Sequence, residues 1–215
     1  MTVRTASGTW VVPTHRAVWI PATVPHTVTM SGTVAMRTLY LKSNLVRNLP
    51  RTCCVVNVTP LLRELILHAC TCPHLRRRVQ WQSHLIDVTV DQLQVVRTVP
   101  LQLPNVTDPR AMRVAAAVMT NPDDRHSLTR ICNNAGAGKR TMERVFQSET
   151  GMTIGKWRQQ LRLMHAMRAI GEGTQVTRAA IEAGYATPSA FSAAFRKALG
   201  TTPTMYFKHF TNQSL

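Results

Sequence analysis

The fold of the C-terminal half is decided by residues 180–200, which read AIEAGYATPSAFSAAFRKALG. A small residue, Ala180, stands four positions before Gly184. Apolar residues ending in Phe195 then follow at helical spacing before Gly200. The small residue lets two helices cross closely, and the first glycine permits a sharp turn between them. The stretch therefore predicts a helix-turn-helix whose second helix keeps one face free.

A second stretch, residues 131–151, repeats this pattern as ICNNAGAGKRTMERVFQSETG. Cys132 takes the small position, Gly136 the turn, and Phe146 ends the apolar pair before the closing glycine. One such unit is also typical of an ordinary helical hairpin. Two units joined by one long helix in a basic chain favour DNA binding.

The charge of the whole chain supports a polyanionic partner without locating the surface that binds it. Its 215 residues include 26 Lys and Arg against 10 Asp and Glu, a net charge of +16. Residues 1–107 and 108–215 each carry a net charge of +8. A hydrophobic content of 44% is enough to fill real cores. Charge alone also fits a general nucleic-acid coating protein, which would show no preferred DNA sequence.

The cysteine content and the absence of targeting signals predict a reduced, cytoplasmic setting with no membrane segment. Cys70 and Cys72 lie near His68 and His74, but the spacing matches no standard zinc pattern. We therefore expect ordinary thiols, no metal and no cofactor. No nucleophile-base-acid set or phosphate loop occurs, so the sequence predicts that the chain is not an enzyme.

The N-terminal half is predicted to contain strands followed by helices. β-branched and aromatic residues between turn residues indicate strands at 9–12, 17–20, 27–30 and 36–41. Thr59 followed by Pro60 predicts the start of a helix over 59–70, and a second helix is expected over 74–96.

A linker rich in proline follows, and we place the domain boundary near residue 105. Asp108 and Pro109 open a further helical run. In the C-terminal half the predicted helices are 127–134, 139–150, 153–170, 175–183 and 188–199.

The C-terminal half resembles the AraC/XylS regulators in three stretches. These are ETGMTIGKW at 149–157, AGYATPSAFSAAFR at 183–196 and GTTP at 200–203, within a match that covers roughly 127–207. The resemblance implies a seven-helix DNA-binding domain over 106–215. A linker helix would hold recognition helices 139–150 and 188–199 in successive major grooves, about 34 Å apart. Gly138 departs from the capping serine usual in that family.

Residues 18–28, VWIPATVPHTV, are similar to the second half of the cupin-like effector domain found on many such regulators. The resemblance implies an α+β chain with a partial β-barrel over 1–105 and a small-molecule effector. Candidate effector-pocket residues are His26 and Trp19. Because the barrel would begin before Met1, we expect either a misassigned start or a fragment. A cupin-type metalloenzyme or sensor fused to a DNA-binding tail is the alternative, although no His-x-His motif is present.

The resemblance assigns DNA contacts to the two recognition helices. The candidate base-reading residues are Arg140, Glu143, Arg144, Ser189 and Ala190. Arginine suits bidentate contact with guanine, whereas Glu143 can accept from cytosine or merely orient a neighbouring arginine. The second helix is poorer in polar side chains, so the first unit is predicted to carry most of the sequence discrimination.

Contacts with the DNA backbone are predicted for polar residues flanking these positions. The candidates are Lys139, Gln147, Arg158, Arg162, Thr187, Ser192, Arg196 and Lys197. Thr187 is also the expected N-cap of its helix. On the linker helix, Ile154, Trp157, Leu161 and Met164 form an apolar stripe, and Arg158 and Arg162 lie off it.

Two further partners are considered besides double-stranded DNA and the effector. The apolar stripe of the helix over 59–70, which includes Leu61 and Leu62, is either a homodimer interface or part of the core of one subunit. RNA polymerase is a candidate partner of such a regulator.

Overall fold

In the computed structural model, the described residues are 1–13, 16–30, 34–94, 98–99, 101–124 and 126–211. Their strands form two antiparallel sheets, of order β4-β1-β2-β7 and β3-β5-β6. The strands are β1 (Thr2–Thr5), β2 (Gly8–Val11), β3 (Arg16–Trp19), β4 (Thr27–Thr29), β5 (Cys54–Asn57), β6 (Thr98–Val99) and β7 (Gln102–Pro104).

The predicted strands at 9–12, 17–20 and 27–30 are confirmed to within one residue, but the strand at 36–41 is wrong. The side chain of Tyr40 is 96% exposed, so this apolar segment has no sheet to cover. The described strands make two open sheets and no closed barrel. The mixed α and β composition is as predicted, and the cupin-like partial barrel over 1–105 stays a prediction.

Two helices follow the sheets, α1 (Pro60–Ala69) and α2 (Gln80–Gln94). The Thr59 hydroxyl accepts a hydrogen bond from the Leu62 amide at 3.2 Å, which confirms the predicted cap. Helix α2 begins six residues later than predicted, and the predicted end at Val96 lies outside the described residues. Residues 76–78 are three arginines, and positive charge is unfavourable at a helix N-terminus.

The described residues of the C-terminal part form helices joined by short turns. Its helices are α3 (Pro109–Thr120), α4 (Leu128–Asn134), α5 (Lys139–Thr150), α6 (Ile154–Gly171), α7 (Val176–Glu182), α8 (Pro188–Leu199) and α9 (Pro203–Thr211). These boundaries agree with the predicted ones to within one residue. Helix α9 was not predicted individually; it begins at Pro203, and proline is favoured at the first position of a helix.

The segment predicted as a linker is instead part of the core. Strand β7 pairs with β2, and Leu101 and Leu103 are 0% and 3% exposed. One hydrophobic cluster extends from Val3 and Trp10 to Trp157. The domain boundary near residue 105 stays a prediction. Among the described residues, no helix combines the length and apolarity needed to cross a bilayer.

Candidate nucleic-acid interface

The first helix-turn-helix consists of α4, the turn over 135–138 and α5. The Ala137 amide donates to the Cys132 carbonyl at 3.0 Å, and Gly136 has a φ of +72°. Cys132 is fully buried where the two helices cross, and Phe146 is fully buried on the inner face of α5. The opposite face of α5 is thus left to solvent.

The second unit, made of α7, a turn over 183–187 and α8, repeats these interactions. The Tyr185 amide donates to the Ala180 carbonyl at 3.0 Å, and Gly184 has a φ of +87°. Its turn is one residue longer than that of the first unit. Both second helices end at a left-handed glycine, Gly151 and Gly200. The two sequence repeats are therefore also structural repeats.

Helix α6 connects the two units as an uninterrupted rod. Its 18 residues span about 27 Å at 1.5 Å per residue. The predicted stripe residues Ile154, Trp157 and Met164 are buried and Leu161 is half-buried, but Leu163 is buried as well. The helix is therefore covered on more than one side, which limits its freedom to tilt.

The outward face of α5 carries exposed polar and cationic side chains. Lys139, Arg140, Arg144 and Gln147 are all exposed, opposite the buried Met142 and Phe146. A helix that presents exposed arginines on one face and packs through the other has the geometry needed for major-groove contact.

Glu143 lies on α5 between these arginines but is half-buried. Its Oε2 accepts a hydrogen bond from the Ile154 amide at 3.1 Å, so the carboxylate caps the first turn of α6. The sequence had suggested Arg140 or Arg144 as its protein partner. Base contact by Glu143 stays a prediction, in competition with this bond.

Arg158 and Arg162 both bind backbone carbonyls within the chain. Arg162 donates through Nε to the Pro122 carbonyl at 2.7 Å and through Nη2 to the Asp124 carbonyl at 2.9 Å. Arg158 donates to the His126 carbonyl at 3.2 Å. Burial lowers the pKa of Arg162. Phosphate contact by these two side chains stays a prediction, in competition with the bonds they make to carbonyls of the α3–α4 turn.

On α8, the candidate residues lie at both ends of an exposed face. Ser189 and Ala190 are exposed in the first turn, and Ser192 is half-buried. Thr187 accepts from the Ala190 amide at 3.1 Å, which confirms it as the N-cap. Arg196 and Lys197 are exposed in the last turn, where cations also stabilise the helix dipole.

Sequence reasoning missed the contacts that attach the first unit to the preceding strand. The Glu149 carboxylate accepts from the amides of Thr107 and Asp108 at 2.6 and 3.1 Å, ahead of α3. Trp157 donates through Nε1 to the Pro104 carbonyl at 2.9 Å. No local signal indicates partners about 40 to 50 residues away.

The two candidate effector-pocket residues occupy different surroundings. Trp19 lies in β3, is half-buried and donates to the Pro50 carbonyl at 2.7 Å. His26 precedes β4, is exposed, and its Nδ1 lies 2.9 Å from the Val24 carbonyl oxygen. Their assignment to a pocket stays a prediction.

Two helix-turn-helix units on one rod, with a cationic outer face on the first, define a double helix-turn-helix DNA-binding protein. Comparison with known proteins agrees with this class. Residues 131–209 match a family described as a helix-turn-helix domain. The chain is 30% identical over 214 residues to the HTH-type transcriptional regulator NimR of Escherichia coli (strain K12), covering 100% of this chain and 78% of that protein. It belongs to the AraC-type family of helix-turn-helix transcriptional regulators, and it is a DNA-binding transcription regulator.

Two other matches each cover about half of this chain. The HTH-type transcriptional regulator RipA of Corynebacterium glutamicum is 31% identical over 111 residues, 52% of this chain and 32% of that protein. The DNA-binding domain of AdpA, solved in complex with a target DNA, is 26% identical with a TM-score of 0.46. That match covers 50% of this chain and 97% of that domain.

Proposed function

We propose that this regulator recognises a specific duplex site with α5 and α8 in successive major grooves on one face of the DNA. The support is the arrangement of two equivalent units at the two ends of one long, uninterrupted helix, α6. Adjacent grooves on one face of B-DNA recur about every 34 Å, so two rigidly joined recognition helices can enter both at once.

Within this arrangement, α5 supplies most of the sequence discrimination. The single observation behind this assignment is the exposure of Arg140 and Arg144 on a helix whose other face is fixed by Met142 and Phe146. A bidentate arginine–guanine pair contributes about 1–3 kcal/mol of discrimination. In contrast, α8 offers Ser189 and Ala190 to the bases and supports the position of the protein through its backbone contacts.

Selection of binding sites from a random-sequence duplex pool tests this function, followed by affinity measurements with Arg144→Ala. We expect enrichment of a motif, and a loss of preference at one or two of its positions in the variant. Arg130→Ala is the matched control, since Arg130 is an exposed arginine on α4 of the same unit. It should weaken binding uniformly, at most, and leave the motif intact. An unenriched pool, or an Arg144→Ala protein with the wild-type motif, would contradict the proposal.

The N-terminal half is proposed to make the regulator responsive to a small molecule, as a cupin-like effector domain would. Dimerisation through α1 is the second role proposed for it. Leu62 is 1% exposed, whereas Leu61 is 53% exposed. On α2, Trp81 and Val88 are also exposed, at 49% and 43%. Such exposed apolar side chains favour burial against a second subunit. RNA polymerase remains a proposed partner of the DNA-bound regulator.

A further inference from the structure

The recognition helices are attached to the rest of the chain through two similar aromatic contacts. Phe146 of α5 meets Trp157 edge-to-face, with ring centroids 5.6 Å apart. Phe195 of α8 meets Tyr206 of α9 in the same way, at 5.3 Å, and both pairs have an interplanar angle of 78°. Each inner phenylalanine thus has an edge-to-face partner outside its own helix, and Tyr206 is the nearest of the rings around Phe195.

Each of these partner rings is in turn held by the sheet-forming part of the chain. Trp157 donates to the carbonyl of Pro104, the last residue of β7. The Tyr206 ring is covered by the guanidinium of Arg16, the first residue of β3, with Cζ 4.8 Å from the ring centroid. Thus Arg16, a residue of the N-terminal half, contacts the ring against which α8 packs.

Arg16 is itself held in a fixed orientation. Asn57 is its cross-strand partner on β5, and the Asn57 Oδ1 accepts a hydrogen bond from Nη1 of Arg16. Arg16 is half-buried, and burial strengthens a cation–π contact by removing competing water. Burial also raises the pKa of Tyr206, so its phenol is neutral near pH 7 and the contact is not an ion pair.

We propose that Arg16 is a positioning residue for DNA binding. Through its contact with Tyr206, which packs against Phe195, it fixes the position of α8. A recognition helix misplaced by about 1 Å loses its contacts, because hydrogen bonds weaken steeply beyond their normal length. The inference rests on the proposed function, in which α8 occupies a groove of its own.

Hydroxyl-radical footprinting on the duplex selected by the wild-type chain tests this inference. The wild type should protect two patches about one helical turn apart. The patch next to the bases whose preference changes in Arg144→Ala belongs to α5, and the other belongs to α8. In Arg16→Ala, we expect affinity to fall about three- to tenfold, with protection lost in the α8 patch only.

Three further variants separate positioning from folding and from simple loss of charge. Arg16→Gln keeps a donor for Asn57 but removes the cation, so it should reproduce the loss while remaining folded by circular dichroism. Arg16→Lys should restore part of the α8 protection. Arg4→Ala removes one exposed charge from β1 of the other sheet and should leave both patches intact.

The inference is overturned if Arg16→Ala and Arg16→Gln behave like Arg4→Ala. It is also overturned if the Arg16 variants weaken both patches equally. A wild-type footprint with only one patch would contradict the proposed function itself, and the inference with it.

Discussion

Gly184 and Gly136 occupy the same place in the two units, but their surroundings predict very different costs for a Cβ atom. At Gly184 an added Cβ would lie 2.6 Å from the Pro122 carbonyl oxygen and 2.7 Å from Cα of Asp123. At Gly136 the nearest atom would be Nη2 of Arg113, at 3.9 Å. Both glycines have positive φ, so a comparison of the two alanine variants isolates the packing contribution.

The magnitudes follow from these two contributions. Placing alanine in the left-handed region costs about 1–2 kcal/mol at either site. Only at Gly184 must backbone atoms move as well, and overpacking of this kind adds about 1–3 kcal/mol. The shifted group is the Pro122 carbonyl that Arg162 binds at 2.7 Å, so that hydrogen bond is strained too. We expect Gly184→Ala to lower the free energy of unfolding by about 2–5 kcal/mol and Gly136→Ala by about 1–2 kcal/mol.

Urea denaturation followed by circular dichroism measures this difference. A small domain is stable by only about 5–15 kcal/mol, so the Gly184 variant should show a clearly lower midpoint. Surface substitutions usually change the free energy of unfolding by about 0.5 kcal/mol at most. If the two variants lose amounts within about 0.5 kcal/mol of each other, the contact of the second turn with the α3–α4 turn is refuted.

Two further perturbations test the linker helix and α1. Burial lowers the pKa of His165 on α6, with the Arg168 charge acting in the same direction and Glu172, Glu182 and Asp123 opposing it. The unfolded state then binds more protons, so stability should fall as the pH drops below about 6.5. In His165→Gln, the urea midpoint should change less between pH 7.5 and 5.5 than it does in the wild type. An unchanged pH dependence would exclude His165 as its source. Leu61→Glu should shift a dimer to monomer in sedimentation velocity without loss of helicity. The exposed Val34→Glu is the matched control, and identical behaviour of the two variants would remove α1 from the interface.

The helical half was predictable because its signals are local. Thr59, Ser127 and Thr187 cap the helices they precede, and Gly151 and Gly200 end the two recognition helices in the left-handed conformation. Each of these effects depends on residues within one turn of the helix terminus, so a short window of sequence contains the information.

The sheets were less predictable because their strands depend on distant partners. Strand β7 pairs with β2 across more than 90 residues, and β5 pairs with β3 across about 40. Without knowledge of those partners, residues 102–104 resemble a proline-rich linker, and residues 36–41 resemble a strand although Tyr40 is almost wholly exposed. The bonds of Arg158 and Arg162 were equally hard to predict, since the carbonyls they bind lie more than 30 residues away.

The two helix-turn-helix units have similar internal packing, but they are attached to the rest of the chain by different interactions. Helix α5 carries Glu143 and Glu149, whose carboxylates bind backbone amides at the starts of α6 and α3. Helix α8 contains no acidic residue and is packed through aromatic rings instead, Phe191 against Tyr185 and Phe195 against Tyr206, whose ring Arg16 covers. Charge-assisted hydrogen bonds fix direction more strictly than ring contacts do. Base reading depends on hydrogen bonds to fixed donor and acceptor positions on the base edges, so it benefits from such a strictly directed helix. The anchoring therefore supports, independently of the exposed side chains, the assignment of sequence discrimination to α5.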